Sequence, residues 1–370
     1  MHIYRKLYMI LLQLWRKIVQ RNIPQSNPLI TRLNNLDYWS WCRSFIDTYM
    51  ECPFGCIYCN TQRRSDFQGL SFTRRLPEGK ETIGIGLISD AYTCDDRQNT
   101  MVHGILDFLF KEGYSVQIMT KSTAVVNDLD LLKKLAQKDR VRVTFTLLTL
   151  NDSLGSQLEG SSPGAYERLE ALKTLRVAEI PSGVALSPII PGINDGKESL
   201  CSLIRECKKR DARWVLFSGF DMVPRFIKSP LWQRVEEIHN DPERLERHYR
   251  RLRKFLVKFL LRENLPIRIP RVHLDIYKRR HHTQIVSEHL FNLSYLFELK
   301  ENAIRMLRYR RAAYEIENLN ISLKSIASSK KLGYIKGVNP EIEKVIEEVL
   351  YTGGSTLHTK LYDSLIKECD

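Results

Sequence analysis

Glu51-Cys52-Pro53-Phe54-Gly55-Cys56-Ile57-Tyr58-Cys59-Asn60 reads C-x3-C-x2-C and follows directly on the apolar, β-rich run at residues 45–50. Three thiolates on one tight loop can hold three corners of a [4Fe–4S] cube and leave the fourth iron without a protein ligand. Thiolates suit soft iron–sulfur chemistry, and Gly55 lets the backbone turn sharply between two of them. The competing reading is a structural zinc site, which closes with four ligands. Cys42 or Cys94 would have to supply the fourth, and neither belongs to a second C-x2-C pair.

The surroundings of that loop set the fold class. From about residue 41 to 270, strand-like runs (45–50, 82–88, 115–120, 141–148, 182–187, 214–218) alternate from the second onward with helical patterns (99–111, 129–139, 165–178, 198–210), and a further helix at 243–261 follows the last strand. Strand-then-helix repetition predicts parallel strands joined by right-handed crossovers, either as a doubly wound sheet or as a barrel. In both, ligand chemistry gathers at the carboxyl ends of the strands. The Pro-rich stretch at 265–270 marks a boundary, beyond which the chain reads as helical and basic. The expected division is a basic helical N-terminal extension over 1–40, an α/β body over 41–270 and a helical basic C-terminal region over 271–370.

The chain has 370 residues, 43% of them hydrophobic and 27% charged. This is the balance of a folded globular protein, and it excludes disordered and collagenous classes. Eight scattered cysteines in a chain this long do not describe an extracellular disulfide scaffold, so a reducing, cytoplasmic setting is expected. The apolar run at 7–15 (LYMILLQLW) lies between basic pairs, but it is too short to span a bilayer and no small-residue cleavage site follows it. It reads as a basic amphipathic helix. The net charge of +14 is uneven: residues 1–75 carry 11 basic and 4 acidic side chains, and residues 271–338 carry 13 and 6. Such ends favour a polyanionic partner, nucleic acid first. The run Arg305, Arg308, Arg310 and Arg311, interleaved with Tyr309 and Tyr314, is the candidate contact surface, weighed against an ordinary solvated helix face.

A C-x3-C-x-aromatic-C loop after the first of six β/α strands resembles the radical S-adenosylmethionine (radical SAM) enzymes. Four further runs are similar to the branch that contains spore photoproduct lyase: 88–92 (ISDAY), 120–122 (TKS), 127–132 (NDLDLL) and 187–195 (SPIIPGIND). The similarity covers roughly residues 44–220. The resemblance implies a partial (β/α)6 barrel with a [4Fe–4S] cluster on Cys52, Cys56 and Cys59, S-adenosylmethionine (SAM) on the open iron, and an electron donor such as a flavodoxin or ferredoxin. It also implies reductive cleavage of SAM to a 5′-deoxyadenosyl radical, with Tyr58 beside the adenine.

Position at the strand ends selects further candidates. Ser89 and Asp90 end the second strand, where they would grip the SAM ammonium, and Lys121 ends the third, offering a cation to the carboxylate. Thr146 and Thr149 close the fourth strand, and Ile189 lies in the apolar loop after the fifth. In the resembling branch a cysteine near the end of the second strand returns a hydrogen atom to the product radical. Here Gly86, Leu87 and Ile88 precede Ser89, and Cys94 lies four residues past Asp90. Cys94 is therefore the expected hydrogen donor, with Tyr92 as a second relay candidate. The leading expectation is a lesion lyase or base modifier acting on nucleic acid; a radical enzyme for a peptide or small molecule, and a non-catalytic nucleic-acid binder with a structural metal, are the alternatives.

Overall fold

The computed structural model describes residues 29–37, 39–47, 52–59, 70–73, 76–77, 81–86, 89–93, 96–220, 223–272 and 281–367. One eight-stranded sheet runs through it in the order β3-β1-β2-β4-β5-β6-β7-β8. The strands are β1 (Leu29–Asp37), β2 (Cys42–Asp47), β3 (Leu70–Thr73), β4 (Thr82–Ile85), β5 (Ser115–Thr120), β6 (Val141–Thr146), β7 (Ser182–Leu186) and β8 (Val215–Phe217). Every neighbouring pair from β2 to β8 is parallel, and β1 pairs antiparallel with both β2 and β3 at the edge. Each residue of β4, β6 and β7 is buried, as expected for parallel strands covered on both faces.

The crossovers are α1 (Asp96–Glu112), α2 (Leu129–Ala136), α3 (Asp152–Glu159), α4 (Ala165–Val177) and α5 (Lys197–Lys209), and α6 (Pro242–Arg262) follows β8. Their apolar stripes meet the outer sheet face in the largest core, through residues such as Leu106, Leu132, Leu172 and Ile204. The inner face is partly polar. Gln117 Nε2 and Trp214 Nε1 both donate to Thr144 Oγ1 at 3.1 Å, which ties β5 and β6 to the residue that leads into β8. Residues following all six parallel strands line one cavity. The sheet therefore curls until its first and last parallel strands face each other, yet β8 hydrogen-bonds only β7 within the sheet. This is an α/β fold of the open, partial-barrel kind, one of the two architectures the strand–helix pattern allows and the one the family resemblance implies.

The C-terminal region is helical as expected: α7 (His281–Leu299), α8 (Ala303–Glu317), α9 (Leu323–Ser328), α10 (Pro340–Thr352) and α11 (Thr356–Lys367). It shares its core with the barrel. Val286, Leu290, Phe291 and Ile346 pack in one cluster with Trp41, which precedes β2, and with Trp214 and Leu216 of the last strand region. Trp41 Nε1 donates to the Ile269 carbonyl at 2.8 Å, and Arg142 at the start of β6 donates to the Pro270 carbonyl at 3.0 Å. These helices thus close the amino-terminal end of the barrel.

Two expectations are corrected. The described part of the 1–40 extension is a strand, because residues 29–37 find an open edge on β2 and Ile30 turns into the core. Residues 1–28, with the apolar run at 7–15, lie outside the described residues. The second correction is α3, a helix absent from the sequence reading: it is eight residues long, with Asn151 capping it by accepting from the Leu154 amide at 3.0 Å.

Candidate active site

The carboxyl ends of the parallel strands enclose a cavity of about 260 Å³. Cys52, Cys56 and Cys59 line it together with Tyr58, Ser89, Asp90, Lys121 and Thr146. These residues come from four separate stretches of sequence and are joined only by the fold. Ser187, Pro188, Ser218, Gly219 and Phe220 form the opposite wall.

The cysteine loop is seated on the carboxyl turn of α3. The Ile57 amide donates to the Leu158 carbonyl at 3.0 Å, the Ser161 amide donates to the Phe54 carbonyl at 3.0 Å, and Ser161 Oγ donates to the Pro53 carbonyl at 3.1 Å. Between them Gly160 sits at φ +58°, with the Phe54 carbonyl oxygen 2.3 Å from where a Cβ would project. Only glycine allows that approach.

Glu159, 4% exposed, organises the charges behind the loop. Its Oε1 accepts from the Tyr58 hydroxyl at 2.6 Å and lies 4.0 Å from Lys121 Nζ. Its Oε2 accepts from Arg168 at 2.6 Å, and that guanidinium also donates to the carbonyls of Thr146 and Pro163 and to Ser162 Oγ. Lys121 Nζ stands 5.7 Å over the Tyr58 ring, a cation–π contact. Burial opposes the Lys121 charge, but Cys56 in its ionised form, Glu159 and Asp90 outweigh it and hold the ammonium above its ordinary range. Burial pushes Cys52 up and Cys56 to about 11, so the thiols are protonated at neutral pH until a metal displaces the proton.

Asp90, in the cavity lining, also organises the backbone around it. Its Oδ1 accepts from the Thr120 hydroxyl and the Tyr92 amide, and its Oδ2 accepts from the Lys121 amide at 2.6 Å. The carboxylate pins the β5 turn and so aims Lys121. Ser89 is anchored through its amide on Asp47 Oδ1 at 3.3 Å.

Three candidates lie away from the cavity. Tyr92 is fully buried in the outer core, where its hydroxyl donates to Asp128 Oδ2 at 2.7 Å; the backbone turn fixed by Asp90 directs it there. Thr149 Oγ1 accepts from the Asn151 amide at 3.1 Å in the turn leading into α3. Ile189 is buried, bonding β8 through the Ser218 carbonyl, and its neighbours Ser187 and Pro188 reach the cavity instead. Cys94 lies outside the described residues.

Among the described residues the cavity lining holds three cysteines and no histidine. Cys42 is removed from any ligand set by position: it begins β2, a strand length or roughly 20 Å from the loop that follows it, and its thiol donates to the Ser40 carbonyl. No three His, Cys, Asp or Glu side chains among the described residues stand close enough to hold a single ion. The donor set of three soft thiols beside an open, partly polar cavity fits an iron–sulfur cluster bound at three corners.

The basic run on α8 divides: Arg308 and Arg311 are exposed, and the others are held within the fold. The helix packs at the amino-terminal end of the barrel, so its cations do not flank the cavity mouth. Arg305 and Arg310 pair with Glu341 and Glu298, Tyr309 is fully buried with its hydroxyl on Glu341, and the Tyr314 hydroxyl donates to the Leu36 carbonyl.

Fold and site together define an open six-stranded α/β barrel that carries a three-cysteine loop on its carboxyl rim. No family model matches the chain. Over 201 residues it is 25% identical to an uncharacterised protein of Mycobacterium tuberculosis, covering 49% of this chain and 59% of the relative. Over 163 residues it is 28% identical to an uncharacterised protein of Methanocaldococcus jannaschii, covering 40% of this chain and 61% of that one. The chain thus spans about three-fifths of the length of these relatives. Among solved structures it is similar to a spore photoproduct lyase variant with bound AdoMet and dinucleoside spore photoproduct (17% identity, TM-score 0.40, 51% of this chain and 62% of that one). It is also similar to Streptococcus suis SuiB bound to precursor peptide SuiA (14% identity, TM-score 0.41, 62% and 49%).

Proposed function

We propose that this protein is a radical SAM enzyme, and that the observation carrying the reading is the convergence of Cys52, Cys56 and Cys59 on one cavity with Lys121. Cys52, Cys56 and Cys59 would hold a [4Fe–4S] cluster whose chemistry would be delivery of one electron to the SAM sulfonium, with methionine leaving and a 5′-deoxyadenosyl radical formed to take hydrogen from substrate. A reduced flavodoxin or ferredoxin is the proposed source of that electron. The chain's own residues bind and orient. The Lys121 ammonium, held charged beside Glu159, meets the cosubstrate carboxylate. The hydroxyls of Ser89 and Thr146 accept or donate at the polar end of the cavity. Met119, Pro188 and Phe220 supply apolar walls that exclude water from the reacting carbon. The substrate is proposed to be nucleic acid, on the strength of the net charge of +14 and the excess of basic side chains in residues 1–75 and 271–338.

Anaerobic reconstitution tests the cluster. About four irons and four sulfides per chain are expected, with an electron paramagnetic resonance signal of the reduced protein that changes when SAM is added. Cys56→Ala should lose the iron, whereas Cys207→Ala, fully buried on α5 in the outer core, should keep it. One zinc per chain and no response to SAM would overturn the proposal.

A further inference from the structure

A second concavity, of about 850 Å³, opens in the C-terminal region between the end of α8, α9 and the turn at 330–337. Its floor is apolar, through Leu319, Ile326 and Ile335, and its rim bears Ser322, Ser325, Lys331 and Lys336. Tyr334 stands on the rim with 88% of its surface exposed. Residues 319–337 contain four lysines (324, 330, 331, 336) and no aspartate or glutamate. Glu315, the carboxylate in the lining, lies 4.0 Å from Lys336.

Five cations on α6 show the opposite arrangement: Arg244, Arg247, Arg250, Arg253 and Lys254 each pair with a glutamate. Lys324, Lys330 and Lys331 have no carboxylate within ion-pairing distance among the described residues. Unneutralised Lys331 thus lines a groove that also offers an exposed aromatic ring, hydroxyls and an apolar floor, with Lys324 and Lys330 beside it in the sequence.

From this combination we infer that the groove binds single-stranded nucleic acid, the lysines taking phosphates and Tyr334 stacking on a base. An anionic bilayer is disfavoured because the lysines and serines ring a concavity that a flat surface cannot enter. An acidic peptide would leave the ring of Tyr334 without a stacking partner. The groove lies with the helices that close the amino-terminal end of the barrel, so it tethers a strand without presenting it to the cavity. The inference shares the choice of nucleic acid with the proposed function but does not depend on a cluster.

Fluorescence anisotropy of the full-length reconstituted protein with a labelled single-stranded oligonucleotide of about 20 nucleotides tests it. The double variant Lys330→Ala/Lys331→Ala should weaken binding roughly tenfold or more at low salt. It should also flatten the slope of log K against log salt by about 1.4, two phosphate contacts on a single strand. Tyr334→Ala should weaken binding about fivefold or more. Arg247→Ala/Arg250→Ala on α6 should change it less than about twofold, since both arginines are already neutralised. Wild-type affinity in the groove variants, an equal loss in the α6 variant, or binding to phosphatidylglycerol vesicles but not to the oligonucleotide would overturn the inference. Cleavage of SAM measured on the same preparations separates the two proposals: oligonucleotide binding without a cluster sinks the enzyme alone, and a working cluster with unaltered binding sinks the groove alone.

Discussion

Gly160 and Glu159 are adjacent, and between them they decide where the cysteine loop sits. Gly160→Ala would force a Cβ onto the Phe54 carbonyl at a positive φ. A loss of at least about 2 kcal/mol is expected, read as a lower thermal midpoint, together with reduced iron retention. Glu159 and Arg168 are both buried and joined at 2.6 Å. Removing either alone strands a buried charge, so Glu159→Ala and Arg168→Ala should each cost about 3–5 kcal/mol. The double variant should cost far less than the sum, and a thermodynamic cycle with additive losses would show that the pair is not coupled. The three cysteines were legible in the sequence because their spacing is itself the signal. Ser89, Asp90, Lys121 and Thr146 were legible because they stand at strand ends. Glu159 was not, since nothing in its neighbourhood marks a carboxylate whose partners lie 38 and 101 residues upstream, at Lys121 and Tyr58, and 9 residues downstream, at Arg168.

At the level of elements, the six parallel strands and the crossovers α1, α2, α4 and α5 follow from apolar patterns, and their predicted limits fall within a few residues of those observed, the first strand beginning three residues earlier than expected, at Cys42. The elements that escaped are short or edge-bound. α3 has eight residues and ends on the glycine that receives the cysteine loop. β1 earns its strand conformation from an available edge on β2, a tertiary condition that a run of asparagines does not announce. The packing of α7 on α11 carries a pH signature. His289 Nε2 lies 2.8 Å from Ser355 Oγ, and burial, with His358 nearby, holds the imidazole down at about 4. A group held neutral in the folded state contributes stability that is complete above its unfolded value near 6.5 and is lost as pH falls toward 4. Thermal unfolding between pH 7 and pH 5 should show a loss of about 2 kcal/mol from this residue. His289→Gln should flatten that dependence, and an unchanged slope would mean the imidazole titrates normally.

Across the whole molecule, the two ends of the barrel are built for different tasks. The carboxyl rim gathers three thiols and a charged lysine around a small cavity, while the amino-terminal end is closed by the C-terminal helices about 20 Å away along the strands. Composition alone places positive charge near both chain ends, and it cannot say that two of the four arginines of α8 pair with internal carboxylates or that Lys336 faces Glu315 while Lys324, Lys330 and Lys331 do not pair among the described residues. Among the described residues no helix is long and apolar enough to cross a membrane. The central claim is that three thiols leave a metal corner open to SAM. Its most direct test is to incubate the anaerobically reconstituted, chemically reduced protein with SAM and quantify 5′-deoxyadenosine by chromatography. Product is expected to depend on the reductant and to disappear in Cys52→Ala, Cys56→Ala and Cys59→Ala. A fully assembled cluster that leaves SAM intact, or whose fourth corner is held by a side chain of the protein, would contradict it.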